Sequence, residues 1–294
     1  MSEMTKEVRS FYDEHPCGTE FIVPQEYDQA YFSKYDSYRY THVPSILEII
    51  DGINWRGKRV LEIGTGLGAD AQKIIERGGL YNGLDLTPAS VAILKRRFQI
   101  LGLPYEDVRE GNAEEMDYPD ESFDIVYSCG VLLTSPRIDL IVRHIYRIVK
   151  KDGVAIIMLY HKNSLNYYLS ISLIRRMGIF LLYLPGVDKV VSKLTGEDIE
   201  RINKHKRNLK EMGLSYLRMK NFIHRSTDGP DHPYSSVWTV SDCERLFSGF
   251  TSLEYKVRFL NKRHFPFVFD LLPQAFERHC EHHWGWNLWI TASK

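Results

Sequence analysis

The chain has 294 residues, of which 44% are hydrophobic and 26% charged, and its 38 basic side chains balance 38 acidic ones. This length and composition fit a globular protein with one large domain carrying insertions, or with two small domains. A formal net charge of zero argues against a global field that would recruit nucleic acid, so we expect no nucleic-acid partner. The four cysteines form no CxxC pair and the N-terminus is polar, which predicts a cytoplasmic protein with free thiols and no secretory signal.

The first 55 residues precede the first predicted strand and are rich in aromatic side chains. Glu7–Asp13 predicts a short helix, and His15–Gly18 predicts a turn because proline and glycine lie two residues apart. Aromatic residues between positions 27 and 40 recur at spacings of three and four, which predicts a second helix; a third is predicted over Ser45–Asp51. The aromatic helix either packs against the core or forms a cap from which Tyr38 and Arg39 reach a ligand carboxylate.

An apolar run that ends in glycines, VLEIGTGLG over Val60–Gly68, is the central motif of the chain. A buried strand that ends in Gly64 turns tightly without a Cβ, and the following helix presents free backbone N–H groups to a ligand. About twenty residues later a second apolar strand ends in Asp85, whose carboxylate can accept hydrogen bonds from a ribose. The spacing predicts a nucleotide site, and it also fits the fingerprint of a dinucleotide-binding oxidoreductase.

Strand-like and helix-like segments alternate between residues 56 and 160, which predicts a parallel sheet with right-handed crossovers. Ligands then bind at the carboxyl ends of the strands. The predicted strands are Arg59–Ile63, Leu80–Asp85, Tyr105–Gly111, Phe123–Ser128 and Val154–Tyr160, with helices over Pro88–Leu101 and Asp139–Lys150 and a turn at Lys151–Gly153.

Two segments of this region resemble the core of class I S-adenosylmethionine-dependent methyltransferases, in the form of the ubiquinone/menaquinone-biosynthesis-like group (methyltransferase type 11). They are GNAEEMDYPDESFDIVYSCGVL over Gly111–Leu132 and IYRIVKKDGVAIIML over Ile145–Leu159. The resemblance implies an α/β fold with a Rossmann-like, doubly wound sheet of seven strands, mostly parallel, with the last strand antiparallel. The motifs are specific for the cofactor and say nothing about the methyl acceptor.

The resemblance also implies a contact with S-adenosylmethionine for each matching residue. Asn112 departs from the aspartate that the family more often has, and Leu133–Ser135 stands where many relatives carry histidines, so the chemistry of those histidines is not carried over. The implied contacts are Glu62, Gly64, Thr65, Gly66 and Gly68 under the methionine part, Asp85 at the ribose, Leu86, Asn112 and Ala113 around the adenine, and Ser128 and Cys129 at the methionine end. Tyr38 and Arg39 are added as candidate contacts because of their place in the predicted cap, and not because of the resemblance.

Residues 161–236 interrupt the expected core after its fifth strand, and we predict that they form an inserted lid. Ser164–Leu184 is largely apolar, but Arg175 and Arg176 near its centre argue against a membrane span. Transient contact of this segment with a membrane surface is an open alternative. Glu197–Met212 predicts an amphipathic helix with a basic face, and His224–Pro233 predicts a polar loop.

The last part of the chain, 237–294, predicts a helix over Val240–Phe247 and the strand pair that closes the sheet, Leu253–Leu260 and Trp286–Ala292. His279 and His283 lie one helical turn apart, but no second ligand pair has a matching spacing, so no metal is predicted. The predicted organisation is therefore a cap (1–55), a core (56–160 with 237–294) and an inserted lid (161–236).

Taken together, these features predict an enzyme that transfers a methyl group from S-adenosylmethionine to a small-molecule acceptor, aromatic or apolar. His161, His224 and Tyr38 are candidate bases for an acceptor that arrives protonated. Two alternatives stay open at this point: an NAD-dependent oxidoreductase, and a catalytically silent module that binds S-adenosylmethionine.

Overall fold

A computed structural model describes residues 1–19, 22, 26–260 and 273–294, so parts of the predicted cap and of the predicted C-terminal segment lie outside the described residues. The strands are β1 (Arg59–Ile63), β2 (Leu80–Asp85), β3 (Asp107–Glu110), β4 (Phe123–Cys129), β5 (Val149–Tyr160), β6 (Ser252–Arg258) and β7 (Asn287–Ser293). They form one sheet in the order β3-β2-β1-β4-β5-β7-β6, in which β7 runs antiparallel to both of its neighbours. The predicted Rossmann-like sheet with an antiparallel last strand is confirmed.

The helices alternate with the strands through the core and gather in two further groups outside it. They are α1 (Glu3–Glu14), α2 (Gln29–His42), α3 (Ser45–Asp51), α4 (Ala69–Glu76), α5 (Pro88–Leu101), α6 (Ile138–Ile148), α7 (Arg176–Phe180), α8 (Val187–Thr195), α9 (Ile199–Met212), α10 (Met219–Thr227), α11 (Val240–Leu246) and α12 (Gln274–Trp284). Shorter 3₁₀ turns and one π-helical stretch, Asn166–Arg175, connect them.

Both faces of the sheet are buried because alternate strand residues contribute to two separate cores. On β4, Val126 packs with α6 and α11 on one face, whereas Ile125 and Tyr127 pack with α3, α4 and α5 on the other. This double cover explains why the strands are near-continuous apolar runs in the sequence.

The connection from α6 to β5 differs from the prediction. The helix ends at Ile148 rather than at Lys150, and the strand begins at Val149, which pairs with Phe123 of β4. Lys151–Gly153 is therefore not a free turn but an irregularity within β5, where the register shifts and Asp152 adopts a φ of 62°. Burial of Val149 favours strand pairing over one more helical residue.

The N-terminal helices pack directly against the core. The first helix is longer than predicted because Ser2 Oγ accepts a hydrogen bond from the Thr5 amide and caps it, an interaction that contributes about 1 kcal/mol. The predicted aromatic helix is present as α2, with Phe32 buried against the guanidinium of Arg97. That fully buried arginine also pairs with Asp36, so α2 is tied to α5 by charge as well as by apolar contact.

Residues 161–236 form most of a small hydrophobic core, in which Tyr216, Phe222 and Leu209 are almost fully buried and which Trp286 completes from the C-terminal segment. The predicted polar loop at His224–Pro233 is wrong in its first part, because residues up to Thr227 belong to α10, whose apolar face supplies Phe222 to this core. Within the described ranges, no helix is both long enough and apolar enough to cross a membrane.

Candidate active site

One cavity lies at the carboxyl ends of β1, β2 and β4, where a doubly wound sheet binds its ligands. Helices α1 and α2 contribute to its lining through Thr5, Val8, Tyr12, Tyr35 and Arg39. Counting the solvent in its open mouth, the cavity spans about 1120 Å³. None of its described lining residues comes from 161–236, so the predicted lid role of that segment stays a prediction.

Glycine occupies each of three positions in the β1–α4 turn for a different local reason. A Cβ on Gly64 would come 2.2 Å from Val131 Cγ2, whereas one on Gly68 would come 2.4 Å from Leu94 Cδ1 behind the turn. A Cβ on Gly66 would meet no atom within 4 Å, and this residue adopts a φ of 49°, so its backbone faces open cavity. Open space for a ligand therefore lies at Gly66, whereas Gly64 and Gly68 make room for the side chains of Val131 and Leu94.

Asp85 is held rigidly at the end of β2. One carboxylate oxygen accepts hydrogen bonds from the Thr65 amide at 2.7 Å and the Thr65 hydroxyl at 3.3 Å, and the other accepts from the Thr87 amide and hydroxyl at 3.0 Å. These donors fix the orientation of the carboxylate, which lines the cavity. A rigid acceptor next to a glycine turn is the arrangement that binds ribose hydroxyls.

The cavity is rich in buried acids. Its lining contains the carboxyls of Glu62, Asp70, Asp85 and Glu114, each no more than 7% exposed, but among the described lining residues Arg39 is the one cation. Arg39 is bound in a bidentate pair to Asp70, with N–O distances of 2.9 and 2.6 Å. The surplus of negative charge favours a ligand that brings positive charge into the cavity.

Glu62 carries the clearest sign of this surplus. Burial raises the pKa of its carboxyl well above the ordinary value, and repulsion from Asp70 raises the pKa further. The hydroxyl of Tyr81 donates a hydrogen bond to Glu62 and opposes this shift without cancelling it. A cation beside Glu62 would favour the charged carboxylate and would lower the pKa again.

Asn112 offers a hydrogen-bond donor to a ligand. Its Oδ1 accepts from the Glu114 amide at 3.0 Å, whereas its buried Nδ2 makes no hydrogen bond of good geometry within the described residues and has only a weak interaction with the Glu115 carboxylate. The side chain lines the cavity next to Ala113 and Leu86, at the position predicted for the adenine. A buried donor without a well-formed hydrogen bond is costly, so a ligand acceptor such as a ring nitrogen would stabilise this arrangement.

Most of the predicted cofactor contacts lie in this one cavity, and three do not. Gly68 packs behind the turn; Ser128 is fully buried and donates to the Ile63 carbonyl at 2.9 Å; the ring of Tyr38 stacks on His42. Burial raises the pKa of the Cys129 thiol to about 12, which keeps it protonated. The predicted residues that line the cavity are Arg39, Glu62, Gly64, Thr65, Gly66, Asp85, Leu86, Asn112, Ala113 and Cys129.

The three predicted catalytic bases all lie outside the cavity lining. His161 is buried at the end of β5 with Nδ1 3.1 Å from the Gly285 carbonyl, and burial lowers its pKa. His224 lies in α10, where its Nε2 accepts from Arg225 and burial lowers its pKa to about 4. Their predicted roles, and that of Tyr38, stay predictions.

Sequence reasoning missed Asp70, Glu114 and Tyr12. An acid two residues after the glycine turn, in the first turn of α4, was a readable signal for Asp70. No local signal marks Tyr12, because its place depends on how α1 packs over the sheet. Its hydroxyl lies 3.0 Å from Nε2 of His232, which is fully buried and whose Nδ1 has no partner in the described residues.

Comparison with known proteins supports the resemblance seen in the sequence. The family model described as a methyltransferase domain matches residues 61–157. The chain is 31% identical over 107 residues to phosphatidylethanolamine N-methyltransferase of Cereibacter sphaeroides, a match that covers 36% of this chain and 52% of that protein. It is 33% identical over 99 residues to fatty-acid O-methyltransferase of Mycolicibacterium smegmatis, covering 33% and 35%. The chain thus spans about half the length of the first relative and about a third of the second.

A solved structure extends the likeness to the whole fold. An S-adenosylmethionine-dependent methyltransferase from Thermotoga maritima superimposes with a TM-score of 0.50 at 14% identity, covering 90% of this chain and 97% of that one. At that identity the match shows the fold alone. Residues 61–157, which contain the glycine turn and Asp85, thus match a methyltransferase domain, and the seven-stranded topology is that of the class I S-adenosylmethionine-dependent methyltransferase fold.

Proposed function

We propose that this protein transfers a methyl group from S-adenosylmethionine to a small lipid-like or aromatic acceptor. The observation that carries the proposal is the placement of a glycine turn, a rigid ribose acceptor and a surplus of buried carboxylates in one cavity. S-adenosylmethionine has a sulfonium and an ammonium group against one carboxylate, so its net charge complements this lining.

The residues present fit that cofactor at each of its parts. Glu62 would accept from the ammonium group, Arg39 would face the carboxylate, and Asp85 would accept from the ribose hydroxyls. The Nδ2 of Asn112 would donate to a ring nitrogen of the adenine, a role that an aspartate could not perform in its charged form. The backbone of Gly66 faces open space, which leaves room for the chain that joins these parts of the cofactor.

Once bound, S-adenosylmethionine supplies a methyl group attached to a positively charged sulfur, and this sulfur is the leaving group, which becomes a neutral thioether. The protein's own contribution is to hold the acceptor in line with that methyl group and to exclude water, which can supply much of the rate. The structure supports this with a lining fixed by hydrogen bonds and by the Arg39–Asp70 pair, rather than with a reactive nucleophile of its own.

The acceptor end of the cavity is apolar and aromatic, with Val8, Tyr12, Cys17 and Tyr35 supplied by the N-terminal segment. This lining supports an acceptor with a substantial apolar part, and both curated relatives are named for lipid substrates. If the acceptor carries a hydroxyl, its proton would pass to the oxygen of Tyr12 while the hydroxyl proton of Tyr12 moves to Nε2 of His232. Cytoplasmic location and the O, N, C or S identity of the acceptor atom stay outside this proposal.

The alternatives differ in what they require of the cavity. An NAD-dependent oxidoreductase would have to hold a pyrophosphate in a cavity whose buried carboxyls outnumber its one described cation, Arg39, which is already paired with Asp70. A silent binding module would bind S-adenosylmethionine equally well but would leave its methyl group in place.

The test is a transfer assay with methyl-labelled S-adenosylmethionine and an extract of lipids and small aromatic compounds. We expect label in an organic-soluble product and stoichiometric S-adenosylhomocysteine. Cofactor binding without labelled product across acceptor classes would favour the silent module, and reduction of NAD by the extract would overturn the proposal.

A further inference from the structure

The outer face of the inserted segment exposes a long stripe of large apolar side chains. Between residues 168 and 194 eleven of them are more than 40% exposed, and Leu194 reaches 77%. They are Tyr168, Leu169, Leu173, Ile174, Met177, Phe180, Leu181, Tyr183, Leu184, Val190 and Leu194. Soluble surfaces rarely carry so many neighbouring apolar groups, and a set of this size indicates an interaction site.

The helical geometry explains why these residues share a face. Exposed positions recur every three to five residues through the π-helical stretch and α7, while Ile171 and Leu182 between them point into the small core of the insertion. Helix α8 packs beside the 3₁₀ turn Leu181–Tyr183 and continues the stripe with Val190 and Leu194. The segment is therefore amphipathic, with one face already satisfied and one face unpartnered within the described residues.

The segment that contains this stripe carries a strong net positive charge. Residues 161–236 contain thirteen Lys and Arg against seven Asp and Glu, a formal charge of +6, so the rest of this neutral chain carries −6. No acidic residue occurs between Asn163 and Pro185. On α8, Lys189 and Lys193 are exposed, lie one turn apart beside Val190 and Leu194, and make no ion pair with any described residue.

We propose that the outer face of residues 168–194 binds the surface of a phospholipid bilayer that contains anionic lipids. Apolar side chains would enter the interface, and Lys189 and Lys193 would lie at the level of the phosphates, as in other interfacial helices. Of the two arginines in this segment, Arg175 turns inward and donates to the Ser226 carbonyl of α10, and Arg176 donates to the Ser172 carbonyl of its own helical segment.

Two other occupants fit the observations less well. A second copy of the chain would bring the same positive segment to this face, so like charges would meet across a symmetric interface. Nucleic acid would use the basic groups but would leave the apolar stripe exposed to water. A bilayer satisfies both features at once, and the proposal does not depend on the identity of the methyl acceptor.

The experiment is co-sedimentation of the full chain with phosphatidylcholine vesicles, with and without phosphatidylglycerol. We expect binding that is stronger with phosphatidylglycerol and that the double variant Ile174→Asp/Met177→Asp lowers at least about tenfold, because both side chains leave the interface. The matched control is Leu80→Asp, which places the same charge on an exposed leucine at the opposite end of the sheet and should leave binding unchanged.

A second pair of variants separates charge from apolar contact. Lys189→Gln/Lys193→Gln should weaken binding to vesicles that contain phosphatidylglycerol several-fold and leave binding to phosphatidylcholine vesicles unchanged. Added salt should have the same two effects on the unsubstituted chain. Val190→Asp/Leu194→Asp repeats the apolar test on α8 if the first double variant does not fold by circular dichroism. The proposal would be overturned if the chain did not bind vesicles, or if the aspartate variants bound them as well as the unsubstituted chain does. It would also be overturned if the chain self-associated and only these variants abolished that association, or if it bound an RNA oligonucleotide more tightly than vesicles.

Discussion

The sheet core and the inserted segment of this protein use apolar residues in opposite ways. In the core, strands such as β1 and β4 bury both faces, and polarity is concentrated at one rim where buried acids surround a cavity. In the insertion, a small core occupies one face and large apolar side chains remain exposed on the other.

The two regions differ in what they can recognise: the core rim suits a single ligand, and the insertion suits an extended surface. The rim of the core is rigid, because Asp85 and Asp70 are each fixed by several hydrogen bonds, and it is suited to a ligand of defined shape and charge. The outer face of the insertion has few polar contacts and a net positive charge, which suits a surface rather than a single molecule. Substitutions should therefore separate cofactor binding from surface binding cleanly.

The largest effect is expected at Asp85. We expect Asp85→Ala to weaken S-adenosylmethionine binding by at least about 100-fold, because two charge-assisted hydrogen bonds to the ribose would be lost. Calorimetric titration gives the affinity. The matched control is Ser128→Ala, which removes the bond to the Ile63 carbonyl outside the cavity: it should lower the melting temperature slightly and change affinity less than about twofold. Equal losses in the two variants would contradict the assigned roles.

A smaller effect is expected from pH at Glu62. Its pKa is raised in the free protein, so the carboxyl holds its proton above the ordinary carboxyl range, and a bound ammonium group would release that proton. The affinity for S-adenosylmethionine should therefore rise with pH, by up to about tenfold per pH unit, until the pH at which Glu62 ionises in the free protein.

Calorimetry in buffers of different ionisation enthalpy measures the released proton directly. Glu62→Gln keeps the shape of the side chain and should abolish both the proton release and the pH dependence. Proton uptake by the unsubstituted protein, or release that persists in the variant, would contradict the proposed contact.

A third effect, on stability and not on cofactor binding, is expected in the insertion on acidification. Burial, aided by Arg225, lowers the pKa of His224 to about 4, so below its ordinary value of about 6.5 the unfolded chain binds a proton that the folded chain does not. Stability is therefore lost as the pH falls through this window, by about 2 kcal/mol between pH 7 and pH 5. Hydrogen exchange should show α10 amides losing protection while β1 and β4 amides keep theirs; His224→Asn should reduce the difference.

The fold of the core could be predicted from the sequence because burial of the strands on both faces directly determines their pattern of apolar residues. Strands that are buried on both faces appear as continuous apolar runs, and the cofactor rim follows from where those runs end, as at Gly64 and Asp85. The bounds of β5 were not predictable, because Lys151–Gly153 has turn-forming residues yet continues the strand through a bulge.

The rest of the site depends on contacts between segments far apart in the chain. Tyr12 meets His232 across 220 residues, and Thr5 donates to Glu114 across 109. No local pattern encodes either contact. The predicted bases His161 and His224 had suitable chemistry, but sequence spacing could not show that packing would bury them away from the cavity.

The central claim is that the acid-lined cavity binds a positively charged methyl donor, and calorimetric titration with S-adenosylmethionine and with NAD tests it most directly. We predict one site that binds S-adenosylmethionine in the micromolar range or tighter and gives no heat with NAD. Tight binding of NAD with no heat from S-adenosylmethionine would contradict the account.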